Sequence, residues 1–245
     1  MSDPQGLWYA SLAEAYDRGR SGWPPAILEG IEAETVLDLA AGTGKLTALL
    51  AERYPEVVAV EPVAAMRALL ERSVPGVRAL DGTAEAIPVA DESVDAVFVA
   101  EAFHWFDSAA AGRELARVLR PGGWLVVCFN FGQGDFAPGL SDAARAVLEE
   151  AMAELPPSGG PRVDSGAWRL GLAAFEPLEE RVVEHEWTTD TAGVASYYVS
   201  VSSTGALSDA ARGELRERLL ELTPQATHRL ALTARTYRGR RRSPA

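Results

Sequence analysis

Cysteine is nearly absent. Cys128 stands alone inside the apolar run Trp124–Phe129, so no intrachain disulfide and no cysteine-based metal site can form, and its surroundings are those of a packed, inert thiol. Long apolar runs are lacking too. The longest, such as Val94–Ala100 with Asp95 inside it, are strand-sized, and no N-terminal segment joins a basic stretch to a long apolar one. The expectation is a cytoplasmic protein without a membrane partner. Positive charge is scarce: 23 Lys and Arg stand against 35 Asp and Glu, for a net charge of −12. Such a surface repels nucleic acid unless its bases are gathered in one place. The one obvious cluster, Arg235–Arg242, reads as a solvated, poorly ordered tail. Nothing pairs His185 or His228 with acids at metal-ligand spacing, and no metal is expected.

What is present is a core and a pattern. A hydrophobic content of 47% over 245 residues suffices for one large α/β domain or two small ones. From Glu34 to Asn130, strand-like runs at Thr35–Leu39, Val57–Val60, Val77–Leu80, Val94–Ala100 and Trp124–Phe129 alternate with helical patterns at Lys45–Arg53, Val63–Arg72 and Ala109–Leu119. A connector, Asp81–Asp91, joins the third and fourth strands, and Arg120-Pro121-Gly122-Gly123 stops the last helix. Strands that are apolar on both faces and separated by helices predict a parallel sheet covered on both sides, with ligands at the carboxyl ends of the strands. Beyond Phe131 the spacing predicts helices at Asp142–Leu155, Ser165–Ala174 and Ala210–Leu222, a break at Pro156–Pro161, and strands at Leu178–Trp187 and Arg229–Tyr237. Val194–Val201 is ambiguous. The N-terminal arm, with Trp8, Tyr9, Tyr16 and Trp23, reads as an amphipathic helix stopped by Pro24 and Pro25; it either packs on the body or serves as a lid.

The organising stretch is Val36–Thr47, a strand, a glycine turn and a helix start, where unpaired backbone N–H groups face the ligand end of the strand. A dinucleotide fingerprint would need a third small residue where Thr47 stands. A phosphate-cradling P-loop would need glycine at Leu39 and a hydroxyl at Leu46. What remains, Asp38-Leu39-Ala40-Ala41-Gly42-Thr43-Gly44, resembles the first motif of the class I, Rossmann-like S-adenosylmethionine-dependent methyltransferases. Three further features follow in the family's order: Glu61 at the end of strand two, Gly82–Pro88 with Asp91–Asp95, and Arg117–Gly123. Ala102–Asp107 and Arg20–Pro24 are similar to the type 11 small-molecule group, although Ser21 and Trp23 depart from its arm pattern.

The resemblance implies an open, mostly parallel seven-stranded sheet with helices on both faces, an antiparallel final strand, an N-terminal helical arm and a helical cap. In chain order that is an arm over 1–33, a cofactor-binding core over 34–130, and the remaining strands with an inserted cap over 131–245, one domain in all. It implies S-adenosyl-L-methionine as cofactor, bound by Asp38, Ala40, Gly42, Gly44, Glu61, Pro62, Met66, Thr83, Ala84 and Glu101, with Tyr16 and Arg20 contributed by the arm. Glu61 would take the ribose hydroxyls, Asp38 the loop or the methionine ammonium, and Met66 either adenine or the core. Thr83 stands where the family commonly has an acid, which leaves adenine to backbone groups near Ala84 and makes Asp81 a decoy. His104 is either a base or orienting group for the acceptor, or a structural imidazole. Trp23, Trp105, Tyr197 and Tyr198 are candidates for the substrate pocket.

The implied reaction is methyl transfer by in-line displacement to a small-molecule acceptor, with alignment as the protein's main task. A nucleic-acid methyltransferase is disfavoured by the charge and by the absence of an Asn-Pro-Pro-Tyr-type segment, and a nicotinamide oxidoreductase by Thr47. The alternative is a cofactor-binding protein of the same fold that has lost methyl transfer or uses another transfer chemistry. Neither the acceptor nor the oligomeric state is legible.

Overall fold

The computed structural model describes residues 13–133, 137–153, 155, 163, 166–201, 204 and 206–243. Trp8 and Tyr9 of the arm, the break at Pro156–Pro161 and the helix start at Ser165 lie outside the described residues. The elements follow as β1 (Thr35–Leu39), α1 (Lys45–Arg53), β2 (Glu56–Val60), α2 (Ala64–Ser73), β3 (Arg78–Leu80), β4 (Val94–Ala100), α3 (Ser108–Val118), β5 (Leu119–Gly132), α4 (Asp142–Ala153), β6 (Glu179–Asp190), α5 (Thr191–Ser200), α6 (Asp209–Leu222) and β7 (Thr227–Arg240). The seven strands form one sheet in the order β3-β2-β1-β4-β5-β7-β6. β1 to β5 are parallel, whereas β7 runs antiparallel to β5: Gly122 N donates to Arg241 O at one end and Gln133 N to Ala231 O at the other. No helix among the described residues is long and apolar enough to cross a membrane.

Two compact units divide the chain. Trp23–Phe131, Pro161–Val183 and Ala234–Ala245 make the sheet unit, and Met1–Gly22, Gly132–Gly160 and Glu184–Thr233 the helical unit. The divisions at 33 and 130 therefore describe chain order, whereas the compact units are cut inside the arm and inside β6 and β7.

In the sheet unit the period of two is read out on both faces. Leu37, Leu39, Val97, Val99, Leu125 and Val127 join one buried cluster with Leu115 and Val118 of α3. Val36, Ala96, Phe98, Val126 and Cys128 join another with Leu46 and Leu50 of α1. Each fully buried Leu or Val is worth about 1.5–3 kcal/mol over an exposed one, so neither helix layer could be removed without exposing a whole face. Asp107 caps α3, its Oδ1 accepting from Ala109 N and Ala110 N at 3.0 Å each.

The segment Ala167–Gly171 is a 3-10 turn rather than the expected α-helix. It is pressed onto α3, and Cβ atoms added at Gly112 and Gly171 would lie 2.0 Å from Gly171 O and 1.7 Å from Ser108 O. Ser108 Oγ donates to Trp168 O at 2.7 Å and accepts from Gly171 N at 2.8 Å. The basic end is also not a frayed tail. β7 runs to Arg240, and the arginines pack on neighbours and find carbonyls. Arg240 lies 4.0 Å over the Trp124 ring and donates to Gly122 O, Arg241 donates to Leu119 O, and Arg242 to Phe175 O. A strand between two others has partners on both sides, and its side-chain stems are held by the sheet they cross.

In the helical unit, residues 13–19 of the arm are helical, and the ambiguous segment becomes α5. Asp190 caps α5 through Gly193 N at 2.7 Å, and burial on nearly all sides replaces the one-sided apolar pattern expected of a surface helix.

Candidate active site

The register of the parallel strands sets the site. Leu39 pairs with Val60, and Val60 with Leu80, so β1, β2 and β3 end in one row. β4 continues that row beyond the Asp38↔Phe98 pair. Strand order reverses between β1 and β4, the position at which open α/β sheets bind ligands. Ala40 and Glu101, each the first residue after one of these two strands, adopt positive φ, 58° and 56°. Non-glycine residues in this region carry strain and concentrate at functional sites.

The loop after β1 is held from both sides. Ala41 N donates to Val60 O at 3.1 Å, and Gly44 caps α1 at φ 90°, where a Cβ would meet Leu70 Cγ at 3.0 Å. Glu61, only 4% exposed, accepts from Gly42 N through Oε2 and from Val63 N through Oε1, both at 2.8 Å. A carboxylate offers about four acceptor positions, so two remain for hydroxyl donors. Burial pushes Glu61 up from the usual carboxylate range, against the two amides and the Arg67 charge. Arg67 itself donates to Glu61 O and pairs with Asp81 at 3.4 Å, so Asp81 serves as an exposed counter-charge.

Asp38 is 1% exposed. Its Oδ2 accepts from Thr47 Oγ1 at 2.6 Å, while Oδ1 is buried without a partner. Burial, aided by the nearby Glu61 charge, raises it to about 7 in spite of the Thr47 hydroxyl. Thr43 Oγ1 is likewise buried and unpartnered. Buried polar groups ordinarily have partners, so Asp38 Oδ1 near the end of β1 and Thr43 Oγ1 in the loop after it are candidates for bonding to a ligand. These residues fit S-adenosylmethionine: Asp38 Oδ1 suits an ammonium, Glu61 a vicinal diol, and the first amides of α1 a carboxylate. Thr47 is the residue that sequence reasoning missed. The signal for it in the sequence is a hydroxyl nine residues after a strand-end Asp, on the first turn of the helix.

The remaining expected residues divide between the units. Pro62, Thr83, Ala84, Glu101, His104 and Trp105 follow the carboxyl ends of β2, β3 and β4 in the sheet unit; Thr83 is exposed and Ala84 is buried in the core. Met66 is buried, on the first turn of α2. Glu101 accepts from Asn130 N. His104 lies 4.9 Å from Trp105 and 5.7 Å from Phe129, and burial lowers it to about 4. Burial also raises Cys128, beside the Asp38 and Glu101 charges, as suits an inert thiol. Trp23 packs against the cluster under α1.

Tyr16, Arg20, Tyr197 and Tyr198 belong to the helical unit. There the Arg20 guanidinium lies 4.5 Å over Tyr16 and 5.4 Å over Tyr197 and donates to Ser200 O at 3.1 Å. Tyr198 is buried, with its hydroxyl donating to Pro138 O at 3.0 Å. No group of three or more His, Cys, Asp or Glu that could hold a metal ion occurs among the described residues.

The methyltransferase-domain family model of the type 11 group matches residues 37–127, which span this row of strand ends. Over those residues the chain is similar to methyltransferase domains. An uncharacterized methyltransferase of Mycobacterium tuberculosis, Rv3342, is 51% identical over 127 residues, covering 51% of this chain and 52% of its own. Over 120 residues a demethylmenaquinone methyltransferase of Beutenbergia cavernae is 40% identical, covering 47% and 50%. The chain thus spans about half the length of the curated relatives it matches. Among solved structures, YcgJ of Bacillus subtilis superposes with TM-score 0.51 at 20% identity, covering 90% of this chain and 97% of that one. The [4+2]-cyclase SpnF does so with TM-score 0.55 at 17% identity, covering 92% and 84%. At these identities the likeness is one of fold alone.

Proposed function

We propose that the protein transfers a methyl group from S-adenosyl-L-methionine to a small-molecule acceptor by in-line displacement. The observation that carries this reading is Glu61, a buried carboxylate aimed by Gly42 N and Val63 N, beside the unpartnered Asp38 Oδ1. Glu61 would accept from the two ribose hydroxyls, and Asp38, steadied by Thr47, would hold the methionine ammonium. Gly42 and Gly44 let the backbone approach the amino-acid end. Met66, Thr83 and Ala84 would flank adenine, and Ala40, Pro62 and Glu101 complete the rim. When bound, the sulfonium supplies an activated methyl group, so the chain's residues have to align the acceptor and exclude water rather than build an electrophile.

The small-molecule acceptor is supported by the relatives, one of them named as a demethylmenaquinone methyltransferase and another, from Methylococcus capsulatus, as a malonyl-[acyl-carrier protein] O-methyltransferase. The excess of acids, 35 against 23 bases, supports a partner other than nucleic acid. A second reading, cofactor binding without methyl transfer, is favoured by SpnF, which is named as a [4+2]-cyclase on the same fold.

Titration calorimetry with S-adenosylhomocysteine and NADH tests cofactor identity. Saturable binding of the first and none of the second is expected, and the reverse would overturn the proposal. Label transfer from methyl-labelled cofactor into fractions of a metabolite extract separates the two readings, since the second gives binding without label in any fraction.

A further inference from the structure

His104 has one ring nitrogen in each of two environments. Nδ1 is buried with no hydrogen-bond partner. Nε2 makes no hydrogen bond either, yet is not among the buried unpartnered atoms, so it is the nitrogen that reaches the surface. The ring is held by Trp105 and Phe129 and stands just past the carboxyl end of β4, on the row of strand ends that carries Asp38 and Glu61.

A neutral imidazole has one N–H and one lone pair and must choose which to bury. An orphaned buried N–H is rarer, and loses more, than an under-satisfied acceptor. If the proton sat on Nδ1, only the flanking ring faces would be available to it, and contacts of that kind are weak. With the proton on Nε2 the buried edge carries only a lone pair, and the N–H faces outward, where a ligand or water can accept it.

We propose that His104 carries its proton on Nε2 and acts as a hydrogen-bond donor to an oxygen of the methyl acceptor, not as the base that deprotonates it. This rests on the methyltransferase reading above. It commits to a substrate class: acceptors that present a carbonyl, carboxylate or already ionised oxygen to the imidazole. Transfer then needs no proton at His104. The bond from methyl carbon to sulfur breaks with its electron pair left on sulfur, and a free lone pair of the acceptor forms the new bond. Burial holds the ring near pKa 4, which keeps it in the neutral donor form across the physiological range.

The test is nitrogen-15 NMR of the imidazoles in the full chain, which has three histidines, with and without S-adenosylhomocysteine. His104→Gln identifies the His104 signals by their loss; should that variant not fold, His185→Asn and His228→Gln identify them by elimination. The expected result is a proton on Nε2 at pH 7 and a ring that stays neutral down to about pH 5. A proton on Nδ1, or an imidazolium at pH 7, would overturn the proposal. Calorimetry on the same sample tests the methyltransferase reading separately, since the tautomer is read with no cofactor present.

Discussion

The buried hydroxyls of the helical unit and the buried oxygens at the strand ends of the sheet unit are used in opposite ways. In the helical unit they stitch the backbone: Thr191 Oγ1 bonds to Pro224 O, Ala226 N and His228 Nε2, Thr204 Oγ1 donates to Tyr198 O or Val201 O, and Ser200 Oγ donates to Tyr197 O. At the strand ends of the sheet unit, Thr43 Oγ1 and Asp38 Oδ1 are buried with nothing to bond, and Glu61 uses half of its acceptor capacity on two amides. A polar group that completes the fold makes its bonds inside the fold, whereas one kept for a ligand keeps some in reserve.

The largest test of that contrast is Glu61→Ala. Loss of hydrogen bonds to a charged group should weaken S-adenosylhomocysteine binding by about 2–4 kcal/mol, roughly 30- to 1000-fold by calorimetry. An unchanged affinity would move ribose recognition to another residue. Next comes the pH dependence of the free protein. Asp38 titrates near 7 in the folded chain against 3.8 when unfolded, so its contribution is fully present below 3.8 and is lost as pH rises through 7. His104, lowered from 6.5 to about 4, acts in the opposite sense, losing its contribution as pH falls toward 4. Asp38→Asn should therefore gain about 3–4 kcal/mol on the wild type between pH 4 and pH 8 in denaturant melts. Parallel curves for the two proteins would show that Asp38 is not strained by burial.

Thr47→Val should destabilise by about 1–2 kcal/mol, because the Asp38 carboxyl then loses its hydroxyl donor, and Thr47→Ser should recover most of it. In the helical unit, Thr204→Val should cost about 1 kcal/mol of stability while leaving S-adenosylhomocysteine affinity within about twofold. A large affinity loss there would erase the contrast. The smallest effect belongs to Ala40→Gly. Relief of the positive φ and the added freedom of the unfolded chain oppose each other, so melting should show a change below about 1 kcal/mol, on the stabilising side.

The parallel strands were legible because each carries its own signal. Thr35–Leu39, Val94–Ala100 and Lys45–Arg53 begin and end where apolar runs and glycine punctuation place them. The count of seven strands and the antiparallel final strand came with the family resemblance, not from spacing, and the strand order came from the structure. What local reading could not reach depends on partners remote in sequence. Arg240 and Arg241 look like a tail until β5 lies beside them, and α5 lacks a stripe because it is enclosed on nearly all sides. Ala167–Gly171 is tightened into a 3-10 turn by α3, against which two glycines permit contact. At the site, the motif positions were legible but the bonds were not: nothing in the spacing says that Glu61 would grip Gly42 N, or that Thr47 would be the partner of Asp38.

The grip of Glu61 on Gly42 and Val63 also bears on kinetics. A loop whose shape is already set by a residue on the neighbouring strand has little left to order when a ligand arrives, so association should be a single concentration-dependent phase, with differences among ligands appearing mainly in how fast they leave.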